Sequence, residues 1–104
     1  MKLKESAALI EMRSIIEGFL DGRYDSRKTV EKLIRTVDLD VICAINTDMM
    51  TTDCYYSIKH LTETGYETTK VELAYLKDCI DGIREYDVNE KIELTRKWYK
   101  DNMA

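Results

Sequence analysis

The chain has 104 residues, 20 acidic and 16 basic side chains for a formal net charge of −4, four glycines, three cysteines and no proline. That length supports one domain, 1–104, and with 44% hydrophobic and 35% charged residues it can bury a core and is not a disordered chain. The missing prolines and scarce glycines exclude polyproline, collagen and turn-dense all-β folds, while the acidic balance excludes a protein whose main task is gripping nucleic-acid phosphates.

Helices remain. From Glu5 to Asp21 the apolar residues Ala8, Leu9, Met12, Ile15, Ile16, Phe19 and Leu20 recur at intervals of three and four and share one stripe, with Gly22 placed to end the helix. Asp25 or Ser26 can cap a second helix, whose stripe runs through Val30, Leu33, Ile34, Val37, Val41, Ala44 and Ile45. It is either continuous or broken near Asp38-Leu39-Asp40, and the break is favoured because both aspartates are good N-caps in a stretch of poor helix propensity. Asn46 to Asp53 reads as a connection into a third helix of about 53–64, with Cys54, Ile58 and Leu61 inward and Gly65 as its stop. Thr69-Lys70-Val71-Glu72 has the form of a capping box and opens a fourth helix to about Tyr86, apolar over so wide an arc that it belongs in the middle of a bundle. Asp87 or Asn89 can cap a last helix, about 89–101, with Val88, Ile92 and Tyr99 on one face and Leu94 and Trp98 nearly opposite. One face packs on the bundle; the other asks for a second partner, and a homodimer through Leu94 and Trp98 is one way to supply it. The expected fold is all-α, a compact antiparallel bundle of four to five helices.

Cys43, Cys54 and Cys79 form no C-x-x-C pair, so reduced thiols are expected rather than a disulfide framework or a zinc site. Charges at Lys2, Lys4, Glu5, Glu11, Arg13 and Glu17 leave no signal sequence, and no apolar run approaches a membrane span. A cytoplasmic protein with no cofactor, no metal, no membrane contact and no nucleic-acid partner is the expectation.

The charge is unevenly placed. Residues 38–53 hold Asp38, Asp40, Asp48 and Asp53 and no lysine or arginine, while the rest of the chain holds 16 acids and 16 bases. Two readings follow. Either this stretch is an acidic surface that, with Tyr55, Tyr56 and His60, meets a basic protein by long-range steering and charge-assisted hydrogen bonds, or its aspartates are N-caps and solvated loop. One of the adjacent tyrosines must face outward, as tyrosines at binding hot spots do, unless both pack laterally. His60 is the single histidine and cannot build a His-rich metal site or a recognisable nucleophile pair.

Enzyme signatures are sparse: there is no glycine-rich phosphate loop, no H-E-x-x-H and no G-x-S-x-G. The one catalytic alternative uses two acidic i, i+3 pairs, Asp78 with Asp81 and Glu90 with Glu93, which on adjacent helices would hold Mg²⁺ against a nucleotide phosphate as all-α pyrophosphohydrolases do. Arg84, Lys91 and Arg96 stand close enough in sequence to neutralise these pairs, leaving solvated helix faces instead.

Over residues 10–86, a first helix closing on Phe19-Leu20-Asp21-Gly22, an acid-bearing connection around Asp48 and Asp53, and a late Glu72-Leu73-x-x-Leu76 resemble the small helical immunity proteins of the colicin D type and the wider colicin-like group. The resemblance implies a helical bundle that neutralises a cognate nuclease toxin by presenting acids to its basic active-site surface. Asp38, Asp40, Asp48 and Asp53 would then be the positions at stake, and the chain would be an inhibitor rather than an enzyme.

Overall fold

The computed structural model describes residues 2–38, 42, 49–63 and 70–103. Among these residues there are five α-helices and no strand: α1 (Lys2–Leu20), α2 (Ser26–Thr36), α3 (Met49–Lys59, continued by a 3₁₀ turn His60–Thr62), α4 (Lys70–Ile80) and α5 (Val88–Met103). The expected all-α bundle is the observed one.

α1 buries Ala8, Met12, Ile15 and Ile16 and packs on α2, α3 and α4. It ends as its glycine requires. Gly22 takes φ +82, its N–H bonds to the Phe19 carbonyl at 3.1 Å, and the Arg23 N–H reaches back to Gly18 at 2.9 Å, a left-handed cap that satisfies the last carbonyls. Only five residues then separate α1 from α2, so the two helices return antiparallel along each other. Asp25 is the cap of α2: its carboxylate accepts from the Lys28 N–H at 2.8 Å.

α2 stops at Thr36, where Val37 turns extended, φ −113 and ψ 119. The broken option therefore holds, one residue earlier than Asp38. Its inward stripe is Thr29, Val30, Leu33 and Val37, and Ile34 is 61% exposed rather than in the stripe. Thr29 takes the inward place because its methyl packs like a valine and its hydroxyl is satisfied by the Asp25 carbonyl at 2.6 Å. The Asp38 carbonyl accepts from the Ile42 N–H at 3.3 Å; Asp40, Val41, Cys43, Ala44, Ile45 and Asp48 lie outside the described residues.

α3 begins at Met49, four residues before the expected start, so Met49 to Asp53 is helix and not connection. The reason is a buried stripe that opens on Thr51 and runs through Cys54, Tyr55 and Ile58, the i, i+3, i+4, i+7 spacing of one helix face. A threonine at its head made that stripe look polar. Asp53 is thus mid-helix and caps nothing. The expected stop at Gly65 and capping threonine at Thr69 lie outside the described residues.

α4 is the central helix, touching α1, α3 and α5 and burying Leu73, Tyr75, Leu76 and Cys79. It ends at Ile80, well before Tyr86, through the same device as α1. Gly82 has φ +75, its N–H bonds to Cys79, and the Ile83 N–H reaches Asp78 at 2.9 Å. Seven residues later α5 opens on Asp87, whose carboxylate accepts from the Asn89 N–H and whose carbonyl accepts from Lys91. α5 packs mainly on α4 through Leu94, while Ile92 and Tyr99 are exposed. Of the pair Leu94 and Trp98, Leu94 packs against this chain's own core and Trp98 is half-buried, and the exposed large apolar residues of α5 are Ile92 and Tyr99. Among the described residues no helix is long and apolar enough to cross a membrane.

Candidate functional site

Of the seven residues expected at a binding surface, Asp38 and Tyr55 border one cleft and Asp53 and Tyr56 another. Asp38 is exposed and borders a cleft of about 550 Å³ shared with Ile34, Tyr55 and Lys59. Tyr55 itself is buried, 3% exposed, and meets Tyr56 edge to face with ring centres 5.4 Å apart. Tyr56 is the outer of the pair, half-buried, with its ring 6.2 Å from that of His60. His60 Nε2 stands 3.7 Å from a Glu63 carboxylate oxygen. Asp40 and Asp48 lie outside the described residues.

Asp53 does something sequence reading did not anticipate. Its carboxylate accepts from Lys91 Nζ at 2.8 and 2.7 Å, from the Tyr86 hydroxyl at 2.6 Å and from the Ser57 hydroxyl at 2.9 Å. The ion pair is largely screened from water, with side-chain exposures of 13% for Lys91 and 18% for Asp53. Burial alone would raise the Asp53 pKa, but the hydrogen bonds from Lys91, Tyr86 and Ser57 together outweigh it and hold the carboxyl below its ordinary value. Tyr86 moves the opposite way: burial and donation to a carboxylate push its phenol up. Every lone pair of Asp53 is engaged, so this group is a clasp joining α3, the α4–α5 turn and α5, and not an acid presented to a partner.

A second set of bonds fixes the same turn. The buried Tyr75 hydroxyl lies 3.2 Å from the Glu85 carbonyl and 3.0 Å from the Asp87 carbonyl, to which it can donate, and accepts from the Asp87 N–H at 2.8 Å. Burial again raises its pKa. The Arg84 guanidinium sits 5.1 Å over the Tyr75 ring. No buried side-chain polar atom among the described residues lacks a partner.

Known protein-family models, curated proteins and solved structures include none that matches this chain.

The acids of the catalytic alternative are each engaged with a base. Asp81 pairs with Arg13 and with Lys77, Asp78 and Glu90 with Arg84 at 3.8 and 3.0 Å, and Glu93 with Arg96 at 2.9 Å. Among the described residues no three His, Cys, Asp or Glu side chains converge as metal ligands would. Cys54 and Cys79 are buried and form no disulfide with each other, and burial pushes the Cys79 thiol up, away from the thiolate.

Over the clasp lies an open cleft of about 400 Å³ walled by Met49, Tyr56, Tyr86 and Val88, with Asp53 and Lys91 in its floor. Met49 and Tyr86 also border a neighbouring cleft of about 580 Å³ that extends to Ile83 and Arg84. Met49 and Ile83 are 67% and 71% exposed. The sequence reading passed over Met49, Tyr86 and Lys91 as site residues; the available signal was the pairing of an acid-only stretch with two adjacent methionines, which are adaptable contact residues.

Proposed function

We propose that the chain is a non-enzymatic protein-binding module that meets a basic protein through the 38–60 region, in the manner of an immunity-type inhibitor neutralising a nuclease toxin. The observation that carries the reading is the position of Met49. An exposed apolar side chain stands directly after a segment, 38–48, that holds three aspartates and no base, and it borders a cleft whose floor is already neutralised. Acids beside an apolar anchor favour a basic partner: the charges steer the encounter, and the anchor supplies the burial that slows dissociation. With Asp53 held in the clasp, the acids left to this reading are Asp38, Asp40 and Asp48. A Mg²⁺-dependent pyrophosphohydrolase is less well supported, since Asp78, Asp81, Glu90 and Glu93 are each engaged with arginine or lysine.

The test is to mix the chain with purified basic nuclease domains of bacterial toxins, following binding by surface plasmon resonance and RNA cleavage by gel. A complex is expected whose association slows as salt rises and slows again in a variant carrying Asp38→Asn, Asp40→Asn and Asp48→Asn together. Binding indifferent to salt and to these changes, or cleavage unaffected by the chain across the panel, overturns the reading.

A further inference from the structure

We propose that the turn between α4 and α5 is the second half of this interaction surface, and that its occupant is a basic amphipathic segment of a protein partner. The inference rests on the protein-binding reading above and adds to it residues 82–88, none of which is among the binding residues expected from the sequence.

The first argument is that Ile83 is exposed on a rigid turn. It is the most exposed of the large hydrophobic residues described, at 71%. Loose side chains at loop tips are unremarkable, but the backbone here is tied at both ends. Gly82 sits in the left-handed region with the Ile83 N–H bonded to Asp78, and the Tyr75 hydroxyl bonds the turn at Glu85 and Asp87. A fixed isoleucine held in water loses little entropy on being covered.

The second argument is continuity. Met49 and Tyr86 border both the cleft that reaches Ile83 and the cleft over the Asp53–Lys91 pair, so the two hollows adjoin across these side chains. Together they make a surface with apolar knobs at Met49 and Ile83 and room between them for an inserted side chain.

The third argument is charge. Residues 81–90 contain Asp81, Glu85, Asp87 and Glu90 and the base Arg84; Asp81 is paired with Arg13 and Lys77 and Glu90 with Arg84, which leaves Glu85 and Asp87 as the acids of the turn that no base neutralises among the described residues. Glu85 borders the larger cleft, and both Glu85 and Asp87 are exposed. Inside the cleft the Asp53–Lys91 pair is mutually satisfied and demands no charged visitor. An apolar side chain therefore fits the floor, and lysine or arginine fits the rim. That pattern belongs to a basic amphipathic helix or strand, and it repels a polyanion such as nucleic acid.

The test uses two synthetic helical peptides, one of leucine and lysine and one of leucine and glutamate at the same spacing, titrated into the isotopically labelled chain and followed by amide chemical shifts. The leucine–lysine peptide is expected to bind and to shift amides at 49–56 and 82–88. Ile83→Ser, at a side chain mostly in water, should weaken binding about tenfold. Glu85→Gln with Asp87→Asn should weaken it several-fold and flatten its salt dependence, asparagine preserving the cap of α5. Equal binding of the leucine–glutamate peptide, shifts confined to other faces, no binding, or indifference to Ile83→Ser overturns the proposal. The two levels separate cleanly. A basic partner lost on neutralising Asp38, Asp40 and Asp48 but indifferent to Ile83→Ser sinks this inference and keeps the protein-binding reading, whereas a chain that binds neither peptide nor basic protein sinks both.

Discussion

α4 and α5 are neighbours separated by seven residues, yet they are held by different physics. α4 contributes Leu73, Tyr75, Leu76 and Cys79 to the core, two of them at 0% exposure. None of the described side chains of α5 is fully buried, and its attachment relies on Leu94, the cap at Asp87 and the Lys91–Asp53–Tyr86 clasp. Apolar burial is strong and non-directional, so it explains why α4 is in the middle but little about its orientation. The clasp is weaker overall and highly directional, so it sets where α5 lies against α3. A helix attached in this way should respond sharply to single polar substitutions and to pH, and α4, anchored by its apolar side chains, should respond less to both.

The largest effect is expected where the comparison is most one-sided. Leu76→Ala removes a fully buried side chain and should lower global stability by about 3 kcal/mol, with Leu94→Ala costing about 1 kcal/mol because Leu94 is only partly buried. Urea unfolding of the two variants measures the contrast, and equal costs would dissolve it. Next comes Lys91→Met, which strands a largely buried carboxylate with two hydroxyl donors. It should cost about 2 kcal/mol, and hydrogen exchange should quicken in α5 well before α1 or α4. Pairing it with Asp53→Leu should recover part of the loss, because the charge that was stranded is then gone. A double variant worse than the sum of the two single changes would mean that the pair is not the fastening.

A third, smaller effect belongs to the backbone at two helix ends, Gly22 after α1 and Gly82 after α4. Gly22→Ala and Gly82→Ala each place a side chain in the left-handed region, with nothing within 4 Å to clash, so each should cost about 1 kcal/mol from the backbone alone. Gly18→Ala is different in kind. Gly18 has ordinary helical geometry, but an added Cβ would run into the Tyr24 ring, which must swing away from Lys32 and Arg23. Melting curves should place Gly18→Ala at or above the other two.

How much of this was legible in the chain follows the same division. Met12, Ile15, Ile16, Leu33, Ile58 and Leu73 lie on stripes whose period announces a helix face, and they are buried. Asp25 and Gly22 carry local chemistry for a helix start and stop, and both act as such. Errors arose where a letter misleads about its atoms. Thr29 and Thr51 are fully buried, and reading them as polar moved one stripe and shortened one helix. Asp81-Gly82 repeats the stop of Asp21-Gly22, but Ile83 and Tyr86 happen to continue the helical period and masked it. The clasp was not legible at all. Asp53 meets Tyr86 and Lys91 across 33 and 38 residues of chain, and a contact between elements leaves no period in a sequence. Reading Asp53 as surface charge followed from seeing only its neighbours.

The gentlest probe of the comparison is acid. The Asp53 carboxyl is held below its ordinary value in the folded chain, since the donors that face it outweigh its burial. A carboxyl with a lowered folded pKa stabilises fully above the unfolded value of about 3.9, and that contribution is lost as pH falls through the folded value. Asp81, held low first by its hydrogen bond to Arg13, weakens the α1–α4 contact over the same range, so whole-molecule melting cannot assign the loss. Asp53→Asn removes one titration and leaves the other, and its stability should fall less steeply than the native chain's below about pH 4. Hydrogen exchange locates the remainder: on acidification α5 amides of the native chain should lose protection before those of α1, because protonating Asp53 cancels the charge that Lys91 was paired with. If α1 and α5 lose protection together, the fastening of α5 is the shared core after all, and the clasp only follows it.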